Sequence, residues 1–130
     1  MEFNPGTPIW AQLVTEFSRR IATGEWPAGS RILAVRELAS EVGVNPNTAQ
    51  RALAELERLE LCRTERTAGR FVTDDADRID VVRAELATEA ARAYVRTARG
   101  LQMPLPHAQA LIEKEWHDHD HDDNEEPRNA

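Results

Sequence analysis

The sequence predicts a mainly α chain with one small β-hairpin: an N-terminal winged helix-turn-helix followed by a short C-terminal arm of two helices. Three observations lead there. Apolar residues recur at helical spacing in three successive segments of the first 60 residues. The second and third segments are joined by a short glycine-containing turn in "GVNPNTAQRAL". Two β-prone runs on either side of "ERTAG" then follow, so a hairpin comes directly after a helix-turn-helix.

Each element carries its own signals. Thr7-Pro8 reads as N-cap and first helical residue. Trp10, Leu13, Val14, Phe17 and Ile21 follow at helical spacing, and Gly24 is the stop. "EWPAGSRIL" supplies Pro27 and Gly29 as loop residues, then a short strand candidate over residues 31–33. "VRELASEVG" is a short helix with Val35, Leu38, Ala39 and Val42 inward and Gly43 at its end. Asn45 caps the next helix and Pro46 opens it. That helix reaches about residue 60 with Ala49, Ala52, Leu53 and Leu56 on one face. The hairpin runs cover residues 61–64 and 70–73, with Gly69 able to take a positive φ in the connection.

Residues 1–75 thus form the winged unit, and residues 76–116 form the arm. The arm's first helix has Ile79, Val82, Leu86, Ala90, Ala93 and Tyr94 as its apolar stripe and ends at Gly100. A last short helix opens near Pro106 with Leu111 and Ile112 inward. Residues 117–130, "HDHDHDDNEEPRNA", are polar and low in complexity and are expected to be a disordered acidic tail.

Composition bounds the function. A chain of 130 residues with 41% hydrophobic and 30% charged residues is one small folded domain plus an appendage. No apolar run approaches the roughly 18 residues of a membrane span. "MEFNPGTP" has neither the basic region nor the apolar stretch of a secretory signal, and a cytoplasmic location is the expectation. Cys62 is alone, which leaves no internal disulfide and no CxxC metal site. The net charge of −7 is concentrated at the end: residues 117–130 hold 1 basic and 6 acidic side chains. Most of the negative charge can therefore be held away from a binding face. There is no glycine-rich phosphate loop and no nucleophile–base pair, so an enzyme is not expected, nor is a cofactor.

The chemistry instead points to double-stranded DNA. With Ala49, Leu53 and Leu56 fixing the inner face, Asn47, Thr48, Gln50, Arg51 and Glu55 occupy the exposed arc of the third helix. Asn and Gln can make paired hydrogen bonds to adenine in the major groove, and Arg to guanine. Arg36 begins the preceding helix, and Arg66 and Arg70 flank the wing tip, within reach of a backbone or minor groove. The plain alternative is a solvated helix face on which Asn45 is only a cap.

From Thr7 to Val72 the chain resembles the DNA-binding domain of GntR-type bacterial transcription regulators. "PIWAQLVTEFSRRIATGEWPAGSRI", "VRELASEVGVNPNTAQRALAELERLEL" and the closing "GRFV" carry the likeness. The resemblance implies a winged-helix fold, homodimers and two-fold symmetric operators. It also implies DNA contacts from Arg36, Asn45, Asn47, Thr48, Gln50 and Arg51 and from the wing tip around Gly69. Two motifs depart from the family. Leu33-Ala34 replaces Pro-Ser, which removes a helix cap at a typical cost of about 1 kcal/mol. Thr67-Ala68-Gly69 replaces Gly-basic-Gly, leaving Arg66 and Arg70 to compensate.

The short remainder resembles the YtrA-like branch, in which two helices serve mainly as a dimerisation arm. The physics agrees, because two amphipathic helices cannot close a core alone. Ile79, Val82, Leu86, Ala90, Tyr94, Leu111 and Ile112 are therefore expected to meet a second copy, the alternative being that the arm folds back on its own domain. A repressor is the expected role; any small-molecule effector is unspecified. Two other readings stay open. One is a winged-helix protein-interaction adaptor that has lost DNA binding. The other is a metal-responsive regulator using His117, His119 and His121, although no second shell is in view to hold a site.

Overall fold

The computed structural model describes residues 1–124, with side chains described to residue 121. Its elements are α1 (Ile9–Ala22), α2 (Val35–Val42), α3 (Pro46–Arg58), β1 (Cys62–Glu65), β2 (Gly69–Val72), α4 (Ala76–Gly100) and α5 (Leu105–Asn124). Two compact units result, Met1–Ala87 and a second beginning at Thr88. The mainly helical architecture with one antiparallel hairpin is the one expected.

In the first unit the apolar faces of the three short helices meet. Leu13 and Phe17 of α1, Leu38 of α2, and Leu53 and Leu56 of α3 are completely buried, joined by Leu61 and Val72 from the hairpin. Phe17 stacks on Trp26 with ring centroids 5.0 Å apart. Arg20 covers both rings and pairs with Glu41 at 2.7 Å, tying α1 to α2. The start of α1 differs by one residue from the sequence expectation. Pro8 itself is the N-cap, and its carbonyl accepts the N–H groups of Ala11 and Gln12. Thr7 provides no side-chain cap. Gln12 instead folds back, its Nε2 donating to the carbonyls of Asn4 and Thr7.

The turn between α2 and α3 follows from its residues. Gly43 ends α2 at φ 76°, a left-handed conformation that costs a side-chain-bearing residue but not glycine. Asn45 caps α3, its Oδ1 accepting the N–H of Asn47 at 2.8 Å, and Pro46 opens the helix. At the start of α2, Ala34 offers no side-chain cap, as its methyl group requires.

The wing pairs Cys62 with Val72 through Glu65 with Gly69, closed by residues 66–68. Gly69 at φ 105° completes this three-residue connection. The strand expected over residues 31–33 is reduced to one bridge, Arg31 to Phe71. Ser30 and Ile32 extend the pairing along β2 through bonds to Val72 and Arg70, and the chain then turns into α2. Cys62 is buried, and desolvation pushes its thiol up to about 11. A thiol above its usual range is mostly protonated at pH 8, so Cys62 should resist alkylation in the native protein and react once denatured. Equal labelling rates in the two states would contradict this.

Asp75 caps α4 by accepting the N–H groups of Asp77 and Arg78. The first turns of α4 then dock on the winged unit. Arg78 donates to the Leu59 carbonyl at 2.8 Å and Arg83 to the Ala22 carbonyl at 3.0 Å. Ile79 and Val82 enter the same core as Phe17 and Leu56. This corrects the expectation that both wait for a partner chain: they are 9% and 3% exposed and already buried by their own domain. Leu86, 37% exposed, is where the stripe emerges.

In the second unit, the rest of α4 meets α5 through small residues. Ala98 and Ala108 are buried, and the Tyr94 hydroxyl donates to the Ala108 carbonyl at 2.7 Å. Because Ala108 supplies the α5 contact, Leu111 and Ile112 are not inward as expected but 38% and 46% exposed. Ala90 is exposed as well. Nor is α5 short: its 20 residues continue through 117–124, where the sequence pattern predicts disorder. Residues 125–130 of that expectation lie outside the described residues. Among the described residues no helix is long and apolar enough to cross a membrane.

Candidate nucleic-acid interface

The exposed arc of α3 lies opposite buried Ala49, Ala52, Leu53 and Leu56. Asn47, Gln50, Arg51 and Ala54 are exposed on it, while Thr48 and Glu55 are half-buried at its margin. At 100° per residue, Gln50 and Arg51 fall on opposite sides of the arc's centre. Each meets a side chain from outside the helix. Arg70 of the wing donates from Nη1 to Gln50 Oε1 at 3.3 Å. The Arg51 guanidinium lies over the Trp10 ring, 4.2 Å from its centroid. Glu55, the one acid of the arc, is held by Arg58 through two hydrogen bonds, which draw its carboxylate pKa down.

The wing and the start of α2 come together in a groove of about 290 Å³ lined by Arg31, Ala34, Val35, Thr64, Gly69 and Arg70. Arg31 lies against the wing glycine: a Cβ on Gly69 would stand 3.1 Å from Arg31 Nε. Arg36 follows in the first turn of α2 and is exposed, as is Arg66 in the wing turn. Arg70 does not flank the tip freely, as its place in the sequence suggests. It is half-buried against α3, and its Nε is buried with no hydrogen-bond partner.

Charge pairing divides the arginines of the first unit. Arg19, Arg20, Arg58, Arg63 and Arg83 have carboxylate partners. Among the described residues Arg31, Arg36, Arg51, Arg66 and Arg70 form no salt bridge, although Arg51 still acts on Glu55 through space. The arginines outside salt bridges are therefore those of the helix-turn-helix and its wing, plus Arg78, which is spent on a backbone carbonyl. These arginines are thus not drawn into salt bridges, although the chain as a whole carries a net charge of −7.

Residues 10–72 match the family described as bacterial regulatory proteins, gntR family. The regulator YhcF of Bacillus subtilis is 32% identical over 77% of this chain and 83% of its own length. The chain belongs to the GntR family. The likeness extends to the transcriptional repressor YtrA of Bacillus subtilis, 34% identical over 54% of each chain. A solved GntR family transcriptional regulator from Listeria monocytogenes is 35% identical, with a TM-score of 0.75 over 86% of this chain and 98% of that one. This GntR protein is a DNA-binding transcriptional regulator rather than an enzyme.

Within that GntR framework the structure brings Asn47, Gln50, Arg51 and Arg70 together at α3. Asn45 is engaged as a cap, through the same oxygen that would accept from a ligand. Two residues of this surface escaped sequence reasoning. Trp10 reads locally as one more apolar residue of α1, and Arg31 as part of a strand. No spacing rule links either to its partner, 41 positions away for Trp10 and 38 for Arg31. Among the described residues no group of three or more His, Cys, Asp or Glu side chains is placed to hold a metal ion.

Proposed function

We propose that this GntR regulator is a repressor that binds a two-fold symmetric operator as a homodimer. The observation that carries the proposal is the set of arginines outside salt bridges around α3, the start of α2 and the wing. In this reading α3 enters the major groove. Asn47, Gln50 and Arg51 face base edges there, with Thr48 and the free amide of Asn45 at the helix start. Arg36, Arg66 and Arg31 lie toward phosphates, where they set register and supply salt-dependent affinity. Repression is supported by the likeness to YtrA, itself a repressor. A bound dimer also obstructs a promoter without further machinery. The exposed apolar residues of α4 and α5 favour the dimer, and a two-fold axis would set recognition helices about 34 Å apart.

Selection of bound sequences from a random DNA pool is the direct test. The expected result is a palindromic consensus with half-sites about one helical turn apart. Failure to enrich any sequence, with no retardation of DNA even at low salt, would overturn the proposal in favour of an adaptor. Given the selected operator, Arg51→Ala is expected to cost about 1–3 kcal/mol and relax preference at one base pair of each half-site. Arg31→Ala and Arg66→Ala should instead weaken all sequences alike, each lowering the salt slope by about 1. An unchanged slope would remove them from the phosphate-contacting set.

A further inference from the structure

We propose that Trp10 is a positioning residue for sequence reading: its indole face holds the Arg51 guanidinium on the edge of α3 that meets the bases. The inference rests on the DNA-reading role proposed for Arg51. Arg51 is exposed and forms no salt bridge, its nearby carboxylate Glu55 being hydrogen-bonded by Arg58, so without a further contact its long side chain would sample many rotamers. Its guanidinium carbon lies 4.2 Å from the Trp10 centroid. The other three arginine–aromatic contacts among the described residues measure 5.6–5.8 Å.

Trp10 is itself fixed. It is half-buried in the first turn of α1, one turn before Leu13, which is fully buried against the common core. Stacking occupies the face of the guanidinium and leaves its N–H edge available. That edge is what a guanine O6/N7 pair accepts from. An arginine held in this way loses less freedom on binding than a free one. Gln50 is buttressed equivalently on the other flank by Arg70. Discrimination by α3 is therefore set partly by α1, outside the helix-turn-helix.

The test uses the full chain and the selected operator, with every base pair of one half-site substituted in turn and affinity measured by titration. Arg51→Ala should lower discrimination at its base roughly tenfold. Trp10→Leu, which keeps an apolar side chain but removes the π face, should lower discrimination at that same base by about two- to fivefold. Other positions should be unaffected, and Trp10→Tyr should restore most of the effect. In the Arg51→Ala background Trp10→Leu should change nothing further. If Arg51→Ala alters no base preference, the reading role of Arg51 fails. If it does while Trp10→Leu does not, or if Trp10→Leu weakens all positions equally, the positioning role is overturned. Thermal melting checks the fold of each variant. Should Trp10→Leu not fold, Trp10→Met, which also lacks a π face, decides: loss at the one base supports the inference, and full retention overturns it.

Discussion

Phe17→Ala is expected to destabilise the winged unit by about 3–5 kcal/mol, the largest stability effect of any single truncation considered. Phe17 is fully buried at the centre of the common core. Its ring also stacks on Trp26 and lies beneath Arg20, so truncation opens a cavity and removes two further contacts. Small domains have total stabilities of about 5–15 kcal/mol, so a loss of this size would leave a substantial unfolded fraction at 37 °C. Urea unfolding followed by circular dichroism measures it: the midpoint should fall sharply with little change in slope. Phe17→Leu should recover a large part, because it restores most of the buried volume. A loss below about 1 kcal/mol for the alanine variant would mean that the core closes around the gap and that this description of its centre is wrong.

The second large effect falls on binding. Ile112→Asp together with Trp116→Asp should convert the proposed dimer into a monomer and lower operator affinity by about 10²–10⁴. Ile112 and Trp116 are 46% and 67% exposed and, with Tyr94 and Leu111, line an open groove of about 580 Å³. In the proposed dimer this face, which Glu115, His119 and Asp120 also border, would be covered by the second copy. Carboxylates there would be solvated in a monomer and buried in a dimer. The doubly substituted chain should therefore keep the melting behaviour of an isolated winged unit and its affinity for a single half-site. Linking two half-sites would no longer increase affinity. Sedimentation together with binding to one- and two-half-site DNA separates these effects. A variant that still sediments as a dimer would place the interface elsewhere.

The parts legible in the chain order are those governed by short-range physics. Gly43, Asn45 and Pro46 specify the turn of the helix-turn-helix because left-handed φ, side-chain capping and a pre-set φ each involve only neighbouring residues. The inner faces of α1, α2 and α3 follow from helical periodicity: Leu13, Phe17, Ile21, Leu38, Ala39, Val42, Ala49, Ala52, Leu53 and Leu56 are buried, whereas Trp10, Val14 and Val35 are only half-buried. Periodicity also places Asn47, Gln50 and Arg51 outward. It misleads in the arm, where the α4 stripe is covered at its start and exposed from Leu86, and where α5 buries Ala108 in place of its larger apolar residues. Ile79 and Val82 are covered by the winged core, whereas Leu111 and Ile112 stay exposed because Ala98 and Ala108 supply the helix contact.

The turn between α2 and α3, the buried core positions of the first three helices and the outward residues of α3 thus belong to the order of the amino acids, since they depend on interactions within about four positions. Which partner each surface residue meets is settled by packing. Trp10 beneath Arg51, Arg70 against Gln50 and Arg31 over Gly69 join residues 20–41 positions apart. No local rule encodes such pairs: they exist because a shared apolar core fixes the elements that carry them, and the orientation of the reading side chains follows from that core.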